Sequence, residues 1–479
     1  MFTGIVVNIL FEGKEFIMQK KYGIINRATI FFGMTFLIVF LIAVTQSSIL
    51  GSTTEESGNP KNRICIACHT SRTPVIVQQW RESLHSKIGT GCIECHGADS
   101  SDSDAFMHNG NLIATIVTPK DCAVCHKEIA DEFQTSHHAR AGEILGSLDN
   151  VLGEVVEGLP AAANGCQQCH GTKVRFLFTD TGAVRRDTSG KLLFDPATWP
   201  NTGMGRMNLD GSRGSCSACH SRHTFSRKMA RSPEVCGKCH MGPDHPQAEI
   251  YNESKHGIAF NSQRDSMNMN SETWIAGVNY SAAPTCATCH MSATRNQPVT
   301  HDVGKRISWT LRPVISQKLE NSDSRRDSMK DVCAACHSSN FVSSFYVQYD
   351  NAVNLYNEKF ARPAQEIIAA LKDAGKLTPT QFDEKMEWIY YELWHHEGRR
   401  ARMGASMMGP DYTQWHGFYE VAKNFYTEFL PEAERLAQGT SAQSVIEEIK
   451  NRDDNKWLRG LPPEERERIM QFYRQRYGQ

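Results

Sequence analysis

The chain has 479 residues, a formal net charge of −1, 40% hydrophobic residues and 22% charged ones. That balance offers no basic footprint and argues against nucleic-acid binding. The ordinary hydrophobic content argues against a disordered bulk. The length allows roughly two to four domains, and the 16 cysteines are more informative than any of these totals.

In chain order, residues 30–44 form an apolar run of 15 residues preceded by Lys20, Lys21 and Arg27. A basic stretch followed by a short apolar run is the pattern of a secretory signal, and a bilayer span needs about 20 residues. No A-x-A site follows, so residues 1–50 are read as a signal peptide or an uncleaved N-terminal anchor. Residues 51–64 read as a polar linker. Both readings place the rest of the chain outside the cytoplasm, in the periplasm or an equivalent compartment.

The cysteines come as eight pairs: Cys65 and Cys68, Cys92 and Cys95, Cys122 and Cys125, Cys166 and Cys169, Cys216 and Cys219, Cys236 and Cys239, Cys286 and Cys289, Cys333 and Cys336. Histidine follows every pair, as His69, His96, His126, His170, His220, His240, His290 and His337. With 19 histidines in the chain, eight such coincidences have a chance probability on the order of 10⁻¹¹. C-x-x-C-H is the signature of covalent c-type haem attachment: two thiols about one helical turn apart form the thioethers, and the histidine ligates iron. Disulfides need no following histidine, and structural zinc sites combine their cysteines in fours or use distant histidine pairs. Thioredoxin-like motifs come singly. The sequence therefore implies eight haems, whose propionates make the holo-protein acidic.

The motifs lie 27, 30, 44, 50, 20, 50 and 47 residues apart, without the fixed period of a solenoid. Such spacings leave little room for a conventional core, so the haems themselves supply buried apolar surface. Residues 172–215 are crowded with turn signals and read as a long ordered loop with a small hairpin at 174–194. After His337 there are no cysteines. Tyr349, Val353, Leu355, Tyr356 and Phe360, then Phe382, Met386, Ile389, Tyr390 and Leu393, then Phe418, Val421, Ala422, Phe425 and Phe429 recur at helical intervals. Pro363 and Pro379 mark helix starts, and the tail from 440 reads as two short helices. The expected fold is mainly α: a multihaem cytochrome c with little regular β, an octahaem domain over 65–344 and a C-terminal helical domain over 345–479.

A haem that only carries electrons has two axial ligands, whereas one that does chemistry needs an open position. Eleven histidines lie outside the motifs, enough to close seven or eight haems. Counting leaves two readings, a pure electron conduit and a redox enzyme with one open haem. The loop HMGPDHP at 240–246 bears on this choice, because Asp244 and His245 directly follow a motif. They are either acid–base groups or a turn residue and a surface histidine. The cluster Arg399, Arg400 and Arg402 reads either as partners of haem propionates or as a solvated charged face.

Several stretches carry a resemblance: TWPNTGMGRMNLDGSRGSCSACHSRHTFS (198–226), CHMGPDHPQAEIYNESKHG (239–257), THDVGKRISWTLRP (300–313), FYVQYDNAVNLYNEKF (345–360) and ELWHHEGRRARMGASMMGPDYTQWHGFYEVAKNFY (392–426). With the eight motifs in order, the chain resembles the octahaem hydroxylamine oxidoreductase family, which includes hydrazine dehydrogenases. The resemblance implies that the fourth haem, on Cys166, Cys169 and His170, is catalytic and open on its distal side. Asp244 and His245 would lie over it, with Tyr346 lining the same pocket. In oxidative members a tyrosine of a neighbouring subunit is bonded to the catalytic haem of a homotrimer. That role is carried to Tyr412, with Tyr419 as runner-up, and reductive relatives that form ammonia lack it. Seven distal ligands are needed, assigned to His85, His108, His137, His223, His256, His301 and His395, with His138, His396 and His416 as competitors. The implied activity is oxidation of hydroxylamine to nitric oxide or nitrite, with hydrazine oxidation to dinitrogen or nitrite and hydroxylamine reduction as alternatives. A soluble or membrane cytochrome c would accept the electrons.

Overall fold

A computed structural model of the chain describes residues 59–146 and 151–478. The apolar run at 30–44 and most of the linker lie outside the described residues. Among the described residues no helix is long and apolar enough to cross a membrane.

Each motif folds as its spacing demands. Cys92–His96, Cys166–His170 and Cys286–His290 are single helical turns that end at the motif histidine. The first and third motifs sit inside longer helices, Pro60–Arg72 and Pro119–Thr135. Asn59 accepts from the Lys61 N–H and Pro60 occupies the first turn, so the helix begins inside the stretch read as linker. Thr118 and Asp121 form a capping box on the other helix.

The sheets are two short antiparallel pairs, Ala105–His108 with Asn111–Ala114 and Trp309–Thr310 with Gln317–Lys318. Asn109 and Gly110, both with positive φ, turn the first hairpin, as an Asn-Gly pair favours. The long loop has two tight turns instead of one hairpin: Thr179 N–H donates to the Ala183 carbonyl and Lys191 N–H to the Asp187 side chain.

The C-terminal part carries the largest apolar core. Tyr356, Phe360, Met386, Ile389, Leu393, Val421, Phe425 and Phe429 meet there with Ile367, Leu371 and Ile446. The helical spacing read from sequence accounts for this face, while Leu355 falls on the opposite, exposed side. Pro363 lies in the first turn of helix Arg362–Asp373. Pro379 does not open a helix: the next one begins at Lys385, and Phe382 has positive φ. Wide π-turns interrupt this region at Asn357–Ala361, Glu392–Glu397, Gln414–Tyr419 and Phe425–Phe429; such bulges frequently mark functional sites. The tail holds Ala442–Asn451 and the longer Pro463–Tyr477.

Candidate haem centres and active site

Among the described residues, six pairs of one motif and one non-motif histidine have ring centres 6.0–6.4 Å apart. In one, His240 with His245 at 6.2 Å, both nitrogens of His245 are hydrogen-bonded, to Asp244 and the Cys239 carbonyl, which leaves five candidate ligand pairs. Ring centres are 6.3 Å apart for His69 and His108, 6.3 Å for His85 and His126, and 6.4 Å for His96 and His223. They are 6.0 Å apart for His138 and His240 and for His256 and His337. Two imidazoles bonded to one metal at roughly 2 Å each leave their centres about 6 Å apart. Each pair joins one motif histidine to one outside the motifs. His301 lies close enough to His220 to lower its pKa electrostatically. His137 packs on Gly304, where a Cβ would stand 3.3 Å from its ring, and His290 Nδ1 lies 3.3 Å from the adjacent Val303 carbonyl.

The residues present fit a haem at these places. Nδ1 of His69 meets Thr73 Oγ1 at 2.9 Å, Nδ1 of His170 the Ala141 carbonyl at 3.3 Å, and Nδ1 of His240 Gln247 Oε1 at 3.3 Å. Such contacts orient the ring and turn Nε2 toward iron. Burial pushes His138 and His220 down to about 4 and His240 to about 3, which keeps them in the neutral, ligating form. Large apolar side chains beside these histidines stand exposed, including Leu84 and Ile88 around His85, Met107 before His108, and Ile258 after His256. A haem held by the paired rings would give them a surface to cover.

Three of the facing histidines outside the motifs rest on one local device. Ser83, Ser136 and Ser254 each end a helix and cap the next turn. In each, the hydroxyl donates to the carbonyl three residues earlier and accepts from the N–H three residues later. His85, His138 and His256 follow two residues after the serine. This spacing selects His138 over His137 as the partner of His240. Sequence reasoning noticed the small polar context but not the Ser-x-His register.

Contacts between motif thiols give the order in which the haem sites adjoin. Cys65 lies by Cys92, Cys95 by Cys125, and Cys122 by Cys216. Cys219 lies by Cys236, Cys236 by Cys286, and Cys289 by Cys333. The series runs from the first motif through the second, third, fifth, sixth and seventh to the eighth. The fourth motif joins it at the sixth, through Cys169 beside Cys239.

Asp244 and His245 sit at that junction. His245 Nε2 is 2.8 Å from the Cys239 carbonyl, and its Nδ1 makes a short bond to Asp244 Oδ1. The other oxygen, Oδ2, receives Arg399 Nη1 at 3.0 Å. Burial pulls the Asp244 carboxyl upward, but the His245 bond and the charges of His245, His395 and Arg399 outweigh it and hold it at about 2.

Other expected residues lie elsewhere. His395 stacks on Tyr391 at 4.2 Å, with Nε2 3.1 Å from the phenol oxygen, and acts on Asp244. This removes it from the distal ligand set. His396 and His416 are held by Glu392 and by Asp411 with Glu420. Tyr346 packs under Arg326, 4.4 Å from its ring, beside Cys333 and Cys289. It therefore belongs with the seventh and eighth motifs and not with the fourth. The arginine cluster is otherwise engaged: Arg399 pairs with Asp244, Arg400 with Glu420, and Arg402 with main-chain carbonyls. Tyr412 is partly buried on the turn Pro410–Thr413, its N–H 3.2 Å from Glu253 Oε1, and Tyr419 is exposed beside Trp415.

Motif turns, facing histidines and apolar walls together define a multihaem cytochrome c with covalently bound haems. Comparisons agree. Residues 204–384 match the family described as "Seven times multi-haem cytochrome CxxCH", and residues 121–191 match "Cytochrome c554 and c-prime". A "Probable nitrite reductase-hydroxylamine oxidoreductase fusion protein" of Kuenenia stuttgartiensis is 26% identical over 497 residues, covering 79% of this chain and 52% of that protein. The chain thus spans about half the length of the curated relative it matches. A solved "Hypothetical multiheme protein" has a TM-score of 0.71 at 24% identity, covering 82% of this chain and 97% of that one. The "reducing HAO-like protein complex Kustc0457/Kustc0458" of Kuenenia stuttgartiensis has a TM-score of 0.57 at 21% identity, covering 78% and 85%. The chain shares the mainly α fold of these two solved multihaem proteins.

Proposed function

We propose that the chain is an octahaem oxidoreductase for a small nitrogen compound, with the fourth haem as reaction centre and the other seven as electron carriers. The observation that carries this reading is the junction of the fourth and sixth motifs. A half-buried Asp–His pair hangs there from the Cys239 carbonyl, beside Cys169. Proton transfer and electron exit thereby meet at one place. Seven distal ligands support the reading: His85, His108, His138, His223 and His256 by facing rings, His301 toward His220, and His137 toward His290.

The haem supplies an iron site that binds the substrate nitrogen and passes electrons onward. His245 moves the protons, and Asp244, held ionised, orients the ring and balances its charge when protonated. Oxidation of hydroxylamine to nitric oxide releases three protons with three electrons, so a proton carrier at the electron exit suits it. Cys236, Cys239 and His240 would hold the neighbouring haem as the nearest electron acceptor, since Cys239 adjoins Cys169, and a cytochrome c outside the cytoplasm would be the final one. Tyr412, partly exposed on its turn, would cross-link to a neighbouring subunit's haem in a homotrimer.

Reduction of nitrite or hydroxylamine is the second reading, and one feature favours it. Both ring nitrogens of His245 face oxygen acceptors, the Asp244 carboxylate and the Cys239 carbonyl. A ring so placed can donate from either nitrogen, as proton delivery to a substrate requires. Initial rates in both directions decide: hydroxylamine with a ferric cytochrome c, and hydroxylamine with reduced methyl viologen. Wild-type rates in His245→Gln in both assays would remove the site assignment.

A further inference from the structure

We propose that Arg399 is a positioning residue for the Asp244–His245 pair, setting the rotation of the Asp244 carboxylate from a different part of the chain. The inference rests on the reading of that pair as the proton-transfer group.

Arg399 lies in the first turn of helix Gly398–Met407, directly after the π-turn Glu392–Glu397. Its side chain is only 10% exposed, so it is not a solvated surface charge. The guanidinium makes two bonds in different directions: Nη1 to Asp244 Oδ2 at 3.0 Å and Nε to the Arg312 carbonyl at 2.9 Å. Its plane lies over the Trp394 ring at 5.2 Å. Three contacts fix the fork, and the fork fixes one carboxylate oxygen.

The loop needs such a tether. It leaves His240 through Gly242, whose φ of +98° permits the turn, and its Gly242 N–H reaches Glu249 Oε1 at 3.2 Å. Asp244 divides its oxygens, Oδ1 to His245 and Oδ2 to Arg399. Without Arg399 the carboxylate could rotate about its last bond, and His245 would lose the fixed partner that aims its other nitrogen. A lysine could supply the charge but not two divergent N–H groups on a rigid plane.

The test uses the haem-loaded protein and the variants Arg399→Met, Arg399→Lys, Asp244→Asn and the double variant Arg399→Met with Asp244→Asn. Haem content and the Soret band check loading, and Arg399→Lys decides if Arg399→Met takes up no haem. Arg399→Met is expected to lower kcat for hydroxylamine by about 10- to 100-fold, the range for residues that orient a working group, with KM little changed. Arg399→Lys restores part of the rate. The double variant is no slower than Asp244→Asn alone. Nitric oxide added to the protein supplies a readout apart from turnover: its N–O stretch shifts in the same direction in Arg399→Met and Asp244→Asn. Wild-type kcat and N–O stretch in Arg399→Met, or additive losses in the double variant, overturn the proposal. If Asp244→Asn is slow and Arg399→Met fast, only the Arg399 role falls. If Asp244→Asn itself is fast, the reading of the pair falls, and Arg399 with it.

Discussion

His138 faces His240 with ring centres 6.0 Å apart and planes inclined at 50°. Replacing His138 by alanine in the holo-protein is expected to convert one low-spin haem to high spin, read by electron paramagnetic resonance. An unchanged low-spin population would remove the pairing. Ser136→Ala should leave the haem count intact but lower Tm, since losing a capping hydroxyl costs about 1 kcal/mol.

Tyr412 should mark the subunit boundary. Thioether-bound haem stays with its chain through denaturation, so a haem-stained denaturing gel of the wild type is expected to show a band at three times the monomer mass. Tyr412→Phe should run as monomer and lose hydroxylamine oxidation. A wild-type monomer band would exclude the cross-link and move the account to the reductive reading.

Arg402 is fully buried and donates to the Gly398 carbonyl at 2.8 Å, the Pro313 carbonyl at 2.9 Å and Ser316 Oγ at 2.7 Å, with its guanidinium 4.1 Å from the Tyr356 ring centre. It ties the helix carrying Arg399 to the loop at 313–316. Arg402→Met takes the guanidinium donor from the buried Ser316 Oγ and breaks the tie to the Pro313 carbonyl, a loss of about 1–3 kcal/mol. Thermal unfolding with haem content measured in parallel checks this. An unaltered Tm would show that water replaces the guanidinium.

Glu397 is expected to give the protein a pH-dependent stability. Burial raises its carboxyl to about 8, from an ordinary value of 4.5. The folded state therefore holds a proton that the unfolded state has released between these two values, and this contribution to stability shrinks as pH rises from 4.5 through 8. Tm measured across that range should fall less steeply in Glu397→Gln than in the wild type. Parallel curves would mean that the carboxyl is ionised in the fold.

Much of this was legible from residue spacing. Motif cysteines one turn apart fold as one turn, and apolar residues at three and four residue intervals from Tyr356 to Phe429 bury as a helical core, with Tyr349 and Val353 in a separate cluster beside Trp309. Ligand identity was harder, because it depends on caps and distant packing. Neighbours His137 and His138 have nearly the same local sequence, and only the Ser136 hydroxyl register separates them. His395 sits in a histidine-rich stretch like a ligand, yet its helix presents it to Tyr391. Tyr346 lies on a helix whose position is set by Arg326 and the seventh and eighth motifs, contacts that its own sequence does not encode. The Asn109–Gly110 turn beneath His108 carries an ordinary hairpin signal in the sequence, an Asn-Gly pair between short strands.

The claim that one haem is a reaction centre and seven are carriers is tested most directly by counting spin states in the ferric holo-protein. Quantified electron paramagnetic resonance or Mössbauer spectra are expected to give seven low-spin haems and one high-spin haem, with hydroxylamine perturbing only the high-spin one. Eight low-spin haems unchanged by hydroxylamine would contradict the account and make the protein an electron conduit.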